Sequence, residues 1–467
     1  PERFRSSFNH ETGEPNDPVI MTPRVTGDLA VSPDGKTIAV PVLYVDHFTS
    51  VDNDDGEIGE TGGYSSGPGV GRTNPVVLMV ESDGGGDPSL ERQRTFFMQG
   101  MRSVVRSGAI DQQNVRSYLS SLTFSPDGLM VLASMEGSEA VLGLPLNVPE
   151  DRNSNIGRGG VGIDFGEGFE QDPGFEFRAA FSVVTDAGPR GLVFTGRQEA
   201  MVDSWLDRSV AHVPFGDLHD GIRQRVLQNN LFQGDDIGLS IERAVESSPL
   251  TVDASVDEGR KLFYSATNGS MAAHSGGISC ATCHTDGRND GLSWAFAEGD
   301  RQTPSLAGNV TATEPVTWTK NFEGEPISVD LEVRLTSGTR MGGSGAGIQQ
   351  SFSVQDYIDF TPYPQTAVDL DADAVARGRE IFNGSAECSS CHNGAQFTDS
   401  QPYAMVGLEA VRTPTLRGIA ATAPYLHDGR AADLAELVAI AERVGMGKTV
   451  HLSAEEKADL VTYLESL

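Results

Sequence analysis

CATCHTDG, at Cys280–Gly287, and CSSCHNG, at Cys388–Gly394, repeat one pattern: two cysteines stand three positions apart, and a histidine directly follows the second. The four cysteines of these stretches are the only cysteines in the chain. Cysteine pairs form disulfides, zinc sites or redox dithiols, and Cys-x-x-Cys-His is in addition the attachment sequence for c-type haem. Because two matches use every cysteine, the haem interpretation is favoured over the others.

The chemistry of attachment explains this spacing. Each thiol forms a thioether with one vinyl group of the haem, and the adjacent histidine is thereby placed beneath the iron as its proximal ligand. We therefore predict two covalent c-type haems. Their attachment residues and proximal ligands are Cys280, Cys283 and His284 at the first motif, and Cys388, Cys391 and His392 at the second. Covalent haem attachment normally takes place outside the cytoplasm, so the motif also predicts a periplasmic or extracellular location.

Length and charge limit the function. With 467 residues, the chain is long enough for two or three domains. Its formal net charge of −32 argues against a nucleic-acid partner or an anionic membrane surface, and it favours a basic partner, a saline habitat or bound cations. No run of eighteen apolar residues appears, and Pro1 opens directly into polar sequence. We therefore expect a soluble chain without a membrane span, whose export signal, if it had one, has been removed.

Two predicted helices precede the motifs. VDEGRKLF, at Val256–Phe263, and VARGREIF, at Val375–Phe382, both place Gly-Arg ahead of a small apolar pair, as an amphipathic helix leading into a haem motif would. The last phenylalanine of this segment lies 17 positions before the first motif and 6 positions before the second. The first unit therefore carries an 11-residue insertion, in the region of His274.

The last segment of the chain, LSAEEKADLVTYLESL, predicts the closing helix of a cytochrome c unit. Ser453 and Glu456 have the spacing of a capping box, which marks a helix start. One face of the predicted helix carries Leu460, Leu464 and Leu467.

The first 250 residues show β-strand patterns instead. A strand, a Ser-Pro-Asp-Gly turn and a second strand are predicted at Asp28–Val45 and again at Ser121–Leu146, and Gly191–Phe215 is a degenerate third copy. Hairpins that recur at loose multiples of about 40 to 50 residues are typical of β-propeller blades, and a β-sandwich is the alternative. We therefore predict a multidomain chain, an all-β domain followed by two mainly α-helical domains. The predicted domains are a β-propeller at residues 1–249 and cytochrome c haem domains at residues 250–370 and 371–467.

From residue 250 onward the chain resembles the bacterial di-haem cytochrome c peroxidases and the related MauG-type enzymes. The stretches that carry the resemblance are RQTPSLAGN (Arg301–Asn309), Trp318, DLEVRLTSGTRMGG (Asp330–Gly343), FTD (Phe397–Asp399), RTPTLRGIAATAPYLHDG (Arg412–Gly429) and ADLAELV (Ala432–Val438). The resemblance implies one haem per domain, with the irons on either side of a domain boundary. It also implies that one haem transfers electrons and has two protein ligands, whereas the other opens its distal face to peroxide.

The resemblance leaves open the second protein ligand of the haem at His392. The family often places a methionine or tyrosine fourteen residues beyond the histidine of its Tyr-x-His-Asp-Gly motif, and that position, counted from His427, is Ala441. Alanine cannot ligate iron. His427 itself is one replacement, as in the similar rubber oxygenases that share the Ala-Pro-Tyr-Leu-His pattern, and Met446 is the other. A hydrogen-bonded structural role for His427 is the remaining interpretation.

At the first haem, peroxide chemistry needs a vacant sixth site and distal groups that move a proton and polarise the O–O bond. Glu332 lies in the segment where the family keeps its acid/base glutamate, and Arg340 is a candidate for stabilising negative charge. Trp318 resembles the tryptophan that the family places between its haems, and Trp294 is the alternative. His274 is a candidate cap or base, or an exposed loop residue without a function.

The leading hypothesis is a haem enzyme that uses H₂O₂ as its oxidant. It either reduces peroxide with electrons from a small redox protein, expected to be basic, or directs the oxidation at a protein or organic substrate. A pure electron carrier with a propeller docking module, and an oxygenase of the rubber-cleaving kind, are the alternatives. The family commonly binds one Ca²⁺ at the domain boundary, where Thr413 and Pro414 lie. The acidic segment Val51–Gly63 lacks the alternating ligands of an EF-hand and is interpreted as a solvated loop.

Overall fold

The computed structural model describes residues 2–5, 18–45, 47, 73–81, 93–97, 117–146, 162–164, 181–215, 238–272, 277–295, 300–318, 321–322, 325–364, 369–405 and 408–467. Within them, β-strands occupy the chain as far as Glu246, and helices with a few short strand pairs follow from Ala254. The predicted combination of an all-β half and a mainly helical half is therefore confirmed. His274 and the acidic segment Val51–Gly63 lie outside the described residues.

The β half forms three sheets in the residues that the structure describes. Its strands are β1 (Glu2–Arg5), β2 (Pro18–Val25), β3 (Ala30–Val31), β4 (Thr37–Val45), β5 (Thr73–Glu81), β6 (Gln93–Phe97), β7 (Leu119–Phe124), β8 (Met130–Met135), β9 (Ala140–Pro145), β10 (Gly162–Asp164), β11 (Phe181–Val184), β12 (Pro189–Phe194), β13 (Glu199–Ser204), β14 (Ser209–Pro214), β15 (Gly238–Ser240) and β16 (Arg243–Glu246). The first sheet has the order β10-β1-β2-β4-β5-β6, with β3 paired to β4; the second is β15-β11-β9-β8-β7 and the third β12-β13-β14-β16. Paired strands are antiparallel, except for β11 and β15.

The two Ser-Pro-Asp-Gly turns use the same contacts. In the first, Ser32 Oγ donates to Asp34 Oδ1 at 2.6 Å, and the main-chain N–H of Thr37 donates to Ser32 Oγ at 2.9 Å. Gly35 has φ 72°, a left-handed conformation that favours glycine. The second turn repeats these contacts, with Gly128 at φ 70°. Both predicted hairpins are confirmed, and the degenerate third copy forms the meander β12–β14.

The second sheet is covered on both faces. Alternate residues of β8 point to opposite sides, as strand geometry requires. Val131 and Ala133 pack with Val77 of the first sheet. Leu132 packs with Val202 of the third sheet. The sheets therefore pack face against face, as neighbouring propeller blades do, but in the described residues they do not close into a ring, so the propeller stays a prediction.

The helical half contains two units built on the same plan. Its helices are α1 (Ala254–Tyr264), α2 (Cys280–Cys283), α3 (Val329–Leu335), α4 (Ile348–Phe360), α5 (Ala372–Asn383), α6 (Leu434–Ile440) and α7 (Ala454–Glu465), and its strand pairs are β17 (Ser293–Trp294) with β18 (Arg301–Gln302), β19 (Asn321–Phe322) with β20 (Glu325–Pro326), and β21 (Pro402–Met405) with β22 (Leu408–Arg412). Ahead of the first motif α1 packs against α4, and ahead of the second α5 packs against α7. The helices predicted before both motifs and at the carboxyl end are confirmed, as is the capping box of Ser453 and Glu456. Each helix in the described part of the chain is too short or too polar to cross a membrane.

A glycine at each helix crossing lets the main chains touch. Gly259 of α1 faces Ser353 of α4, and a Cβ atom at this glycine would overlap the facing carbonyl oxygen. Gly378 of α5 faces Asp459 of α7 in the same way. The glycine of the repeated Gly-Arg is therefore a packing requirement in both segments. At the second crossing, Arg377 adds a two-pronged ion pair with Asp459, with N···O distances of 2.7 and 2.8 Å.

The β half and the first helical unit share a hydrophobic cluster. Leu43 and Val45 of β4 pack with Ile278, Trp294 and Met341 of the helical unit. All five side chains are buried. The β half is thereby packed onto the segment that carries the first haem motif.

Replacing Gly378 with alanine is expected to destabilise the protein. A Gly-to-Ala change inside a helix usually stabilises by about 0.5–1 kcal/mol, but here the added methyl group overlaps the main chain of α7, and overpacking costs about 1–3 kcal/mol. The unfolding temperature of Gly378→Ala should therefore lie below that of the wild type. Glu380→Ala, at an exposed position of the same helix, is the control and should change it little. An equal or higher unfolding temperature in Gly378→Ala would contradict the close crossing.

Candidate active site

The first haem motif opens onto a cavity of about 200 Å³. Cys280, Cys283 and His284 line this cavity together with Glu332 and Arg340. Most of the remaining wall is apolar and comes from Phe263, Ile278, Leu306, Val310, Val354 and Ile358. Both cysteines and the histidine thus border one largely apolar space, the kind of environment in which proteins bind flat hydrophobic cofactors.

The two histidines predicted as proximal ligands, His284 and His392, are both held by main-chain carbonyls. The Nδ1 atom of His284 lies 3.1 Å from the carbonyl oxygen of Pro304. The Nδ1 atom of His392 lies 3.1 Å from that of Phe397, and the carbonyl of Pro414 also interacts with this ring. A carbonyl only accepts, so Nδ1 carries the proton in each ring and Nε2 remains available to an iron. Burial is the largest influence on the pKa of each histidine and lowers it, which keeps both rings neutral.

The two prolines that contact these rings belong to a repeated Thr-Pro-x-Leu sequence, at Thr303–Leu306 and Thr413–Leu416. In each copy the leucine packs into the hydrophobic core of its own unit. The sequence resemblance contained both segments without indicating what they do. In the structure, each supplies a carbonyl to the proximal histidine of its unit.

All four cysteines are free thiols. Burial raises the pKa of Cys280 to about 12 and that of Cys388 to about 11, and it also raises the pKa of Cys283. Disulfide exchange and zinc binding both need the thiolate, so these shifts oppose them. Among the described residues, no group of three or more His, Cys, Asp or Glu side chains is placed to hold a metal ion. Neutral thiols beside an apolar cavity, with a neutral histidine whose Nε2 is available, fit a covalent c-type haem.

Glu332 and Arg340 form an ion pair in the first cavity. Helix α3 continues into one turn of π-helix, Thr336–Arg340, and this wider turn brings the two side chains together. Arg340 Nη1 lies 3.0 Å from Glu332 Oε1, and Thr336 Oγ1 donates to the same oxygen at 3.1 Å. The exposed fractions of the two charged side chains are 25% and 23%. The two residues singled out from the sequence as distal groups therefore share the cavity of His284.

The second haem motif opens onto a cavity of about 390 Å³. The attachment residues line it together with the residues considered as ligands: Cys388, Cys391, His392, His427, Ala441 and Met446. His427 is buried, with 5% of its surface exposed, and its Nδ1 has no hydrogen-bond partner among the described residues. Burial lowers the pKa of His427, which keeps the ring in the neutral form that ligates metals. A buried polar atom without a partner costs about 1–3 kcal/mol, so we expect a further group in this cavity to satisfy the ring.

Trp318 and Gln302 line both cavities and form a shared wall. Trp318 Nε1 donates to the carbonyl oxygen of Gln302 at 2.9 Å. The main-chain N–H of Gln302 donates to the carbonyl oxygen of His427 at 2.6 Å. The side-chain amide of Gln302 donates to the carbonyls of Thr422, at 3.2 Å, and Pro424. Gln302 therefore ties Trp318 to the segment that carries His427. Sequence reasoning missed Gln302, because a loop glutamine carries no signal of its own.

The remaining predicted residues are placed as follows. Trp294 lines the first cavity, and its Nε1 donates to Asp290 Oδ2 at 2.9 Å. Of the two tryptophans considered, Trp318 is the one that borders both cavities. Thr413 and Pro414 line the second cavity, where the Ca²⁺ site stays a prediction.

Comparisons with known proteins point to the same chemistry. Residues 375–467 match the Cytochrome c family model. The methylamine utilization protein MauG of Methylophilus methylotrophus is 25% identical over 287 residues, which cover 47% of this chain and 84% of MauG. The cytochrome-c peroxidase IdrP1 of Pseudomonas sp. (strain SCT) is 29% identical over 147 residues, which cover 20% of this chain and 39% of that protein. The protein is a haem oxidoreductase related to MauG and the cytochrome c peroxidases.

A solved structure of hydrazine synthase from Kuenenia stuttgartiensis, pressurised with xenon, aligns with this haem oxidoreductase at a TM-score of 0.40 and 24% identity, covering 47% of this chain and 89% of that one. The oxidoreductase carries c-type haem, as its Cytochrome c match and its MauG relative indicate. The matches to MauG and to hydrazine synthase each cover about half of the chain.

Replacing Gln302 with leucine is expected to destabilise the oxidoreductase at the wall that the two cavities share. Leucine has a similar size but no donor, so the half-buried carbonyl of Pro424 loses its hydrogen bond from the amide, at a cost of about 0.5–1.5 kcal/mol. The unfolding temperature of Gln302→Leu should fall accordingly. Gln401→Leu, the same change at an exposed position, is the matched control. If both variants unfold at the same temperature, the wall does not depend on this amide.

Proposed function

We propose that the protein is a di-haem oxidoreductase that uses H₂O₂ as its oxidant, with one haem for peroxide and one for electron transfer. Its domains would be the β-propeller-like region 1–249 and the haem domains 250–370 and 371–467. The related MauG and cytochrome c peroxidase support the peroxidase-type chemistry. The presence of the full attachment motif at both cavities supports a count of two haems.

The two cavities differ in the residues that line them, and this difference supports the proposed division of labour between the haems. The first cavity contains the ion pair of Glu332 and Arg340, which suits proton transfer. The second contains His427, a neutral buried imidazole, which supports its role as the second protein ligand of an electron-transfer haem. Trp318 borders both cavities and so lies where electrons would pass between them.

A c-type haem at His284 supplies the redox-active iron at which peroxide is reduced. The carboxylate of Glu332 would accept a proton from one peroxide oxygen and return it to the other, which lowers the barrier to O–O cleavage. Arg340 and Thr336 donate hydrogen bonds to Glu332 Oε1 and so orient the carboxylate in the cavity. Arg340 also supplies the positive charge that stabilises negative charge on the departing oxygen.

His427 is the proposed second ligand of the haem at His392. The unpartnered Nδ1 of His427, the burial of its side chain and its lowered pKa all support a neutral ring that is able to bind iron. Met446 lines the same cavity and is the alternative ligand. Ala441, the position that usually ligates in similar proteins, has no donor atom on its side chain.

The partners follow from charge. The formal net charge of −32 favours a basic redox protein, or a basic protein substrate, whose binding weakens as salt rises. Export to the periplasm or cell exterior is proposed because c-type haem is normally attached there. A Ca²⁺ near Thr413 and Pro414 is part of the same proposal.

The assignment of the two haems is tested spectroscopically on the purified holoprotein. Cyanide or H₂O₂ should change the absorbance and EPR spectra of one haem and leave the other low-spin. The variant Cys280→Ala/Cys283→Ala should lose one haem by intact mass and lose this response, whereas the matched variant Cys388→Ala/Cys391→Ala should lose one haem and keep it. Two low-spin haems that stay inert to both ligands in every redox state would make the protein an electron carrier instead.

The variant Glu332→Gln tests the proton transfer. It should lower kcat/KM for H₂O₂ by about 10²–10⁴, the usual contribution of general acid–base catalysis, and leave the haem content unchanged. The matched control is Asp330→Asn in the same helix, because Asp330 pairs with Arg334 at 3.0 Å and lies outside the lining of the cavity. Equal turnover by the two variants would remove Glu332 from the mechanism.

A further inference from the structure

A cation of the β half contacts the first haem motif directly. The guanidinium of Arg24, on β2, donates through Nη1 to the carbonyl oxygen of Thr282 at 2.8 Å and through Nη2 to Thr285 Oγ1 at 2.7 Å. Thr282 is the residue between the two cysteines that precedes the second one, and Thr285 follows the proximal histidine. One planar side chain therefore holds the attachment segment at both ends, across more than 250 positions of sequence.

Strand β2 is also linked to the first haem unit through a second set of hydrogen bonds, which runs through His47. Thr22 lies two residues before Arg24, on the same face of β2, and its Oγ1 is 2.9 Å from His47 Nε2. His47 Nδ1 donates to the carbonyl oxygen of Ser293 at 2.6 Å, and the main-chain N–H of Ala295 donates to the carbonyl of His47 at 2.9 Å. These contacts flank Trp294, which lines the cavity. The β half thus contacts the first haem unit at two separate places, each next to residues that line its cavity.

The second haem motif has a different environment. In the described part of the chain, the contacts of its attachment segment come from its own unit, for example from Phe397 to His392 and from Gly447 to Cys388. Its residues Ser390 and Asn393 are exposed, whereas Thr282 in the first motif is buried. Among the residues that the structure describes, the β half therefore contacts the first motif and not the second.

We propose that Arg24 is a positioning residue for the first haem, and that the β half is a structural part of that haem site. Its two hydrogen bonds fix the attachment segment, and its charge lies beside Cys283. A fixed positive charge next to a haem disfavours the oxidised, more positive iron, so Arg24 should raise the reduction potential of the first haem.

That Arg24 fixes the attachment segment does not depend on the proposed function. Its effect on the reduction potential of the first haem does rest on the proposed function. The two parts are measured separately on the holoprotein. Hydrogen exchange of the peptide 277–295 reports on the segment, with the peptide 386–400 of the second motif as internal control. Spectroelectrochemistry reports the midpoint potentials of the haems, and the variant Cys388→Ala/Cys391→Ala, which retains the first motif alone, shows which potential belongs to it.

The test compares Arg24→Gln, Arg24→Lys and Arg197→Gln. Arg24→Gln should raise exchange in 277–295 by about tenfold, the effect of losing hydrogen bonds from a charged donor, and should lower the potential of the first haem while leaving 386–400 and the second potential unchanged. Arg24→Lys restores the charge and should recover the potential more fully than the protection. Arg197 is exposed in the turn between β12 and β13, so Arg197→Gln makes the same charge change and should behave as the wild type.

Three results would overturn the proposal. One is unchanged exchange in 277–295 in Arg24→Gln, another is an equal shift of both potentials, and the third is an equal effect of Arg197→Gln. A protein that fails to react with peroxide, and yet shows faster exchange in 277–295 in Arg24→Gln, would refute the peroxidase function and leave the role of Arg24 standing.

Discussion

Both candidate sites depend on one interaction, the hydrogen bond from the Nδ1 atom of a proximal histidine to a main-chain carbonyl. This bond selects the tautomer of the ring and fixes its orientation, so that Nε2 is the free ligand atom. In each unit a Thr-Pro-x-Leu segment contributes: the proline restricts the main chain, and the leucine anchors the segment in the core. For the first unit the acceptor lies 20 positions beyond the histidine, so the intervening chain has to close before the ring is held.

On this common frame the two units have diverged in what surrounds the ring. In the first unit, the π-helical turn that continues helix α3 brings the guanidinium of Arg340 to the carboxylate of Glu332. The second adds a neutral histidine from the loop that follows its Thr-Pro-x-Leu segment. Gln302 and Trp318 lie where the two cavities meet, and they link the helical units through hydrogen bonds rather than through a hydrophobic seam. The shared plan accounts for the similarity of the sites, and their different linings support the proposed division of two tasks between them.

The sequence predicted the local features well. The helices before each motif and at the carboxyl end, the two Ser-Pro-Asp-Gly hairpins and the grouping of Glu332 with Arg340 all depend on residues close in the chain. What it could not predict depends on residues far apart. Gly259 is required by a carbonyl on another helix, Gln302 by carbonyls more than a hundred positions away, and Arg24 by a segment 258 positions away. Closure of the propeller is a property of whole sheets, and the pattern within one hairpin does not determine it.

The hydrophobic cluster between the two halves has a consequence for how the protein matures. Leu43 and Val45 pack into the cluster against which Cys280 and Cys283 rest, and Arg24 covers the chain between these cysteines. An enzyme that joins haem to both thiols needs access to the sulfur atoms of Cys280 and Cys283. If haem is joined at the first motif, we expect the attachment to precede the packing of β2 and β4 onto this segment. In the described part of the chain the contacts of the second motif come from its own unit, so we expect haem attachment there to be independent of the folding of the β half.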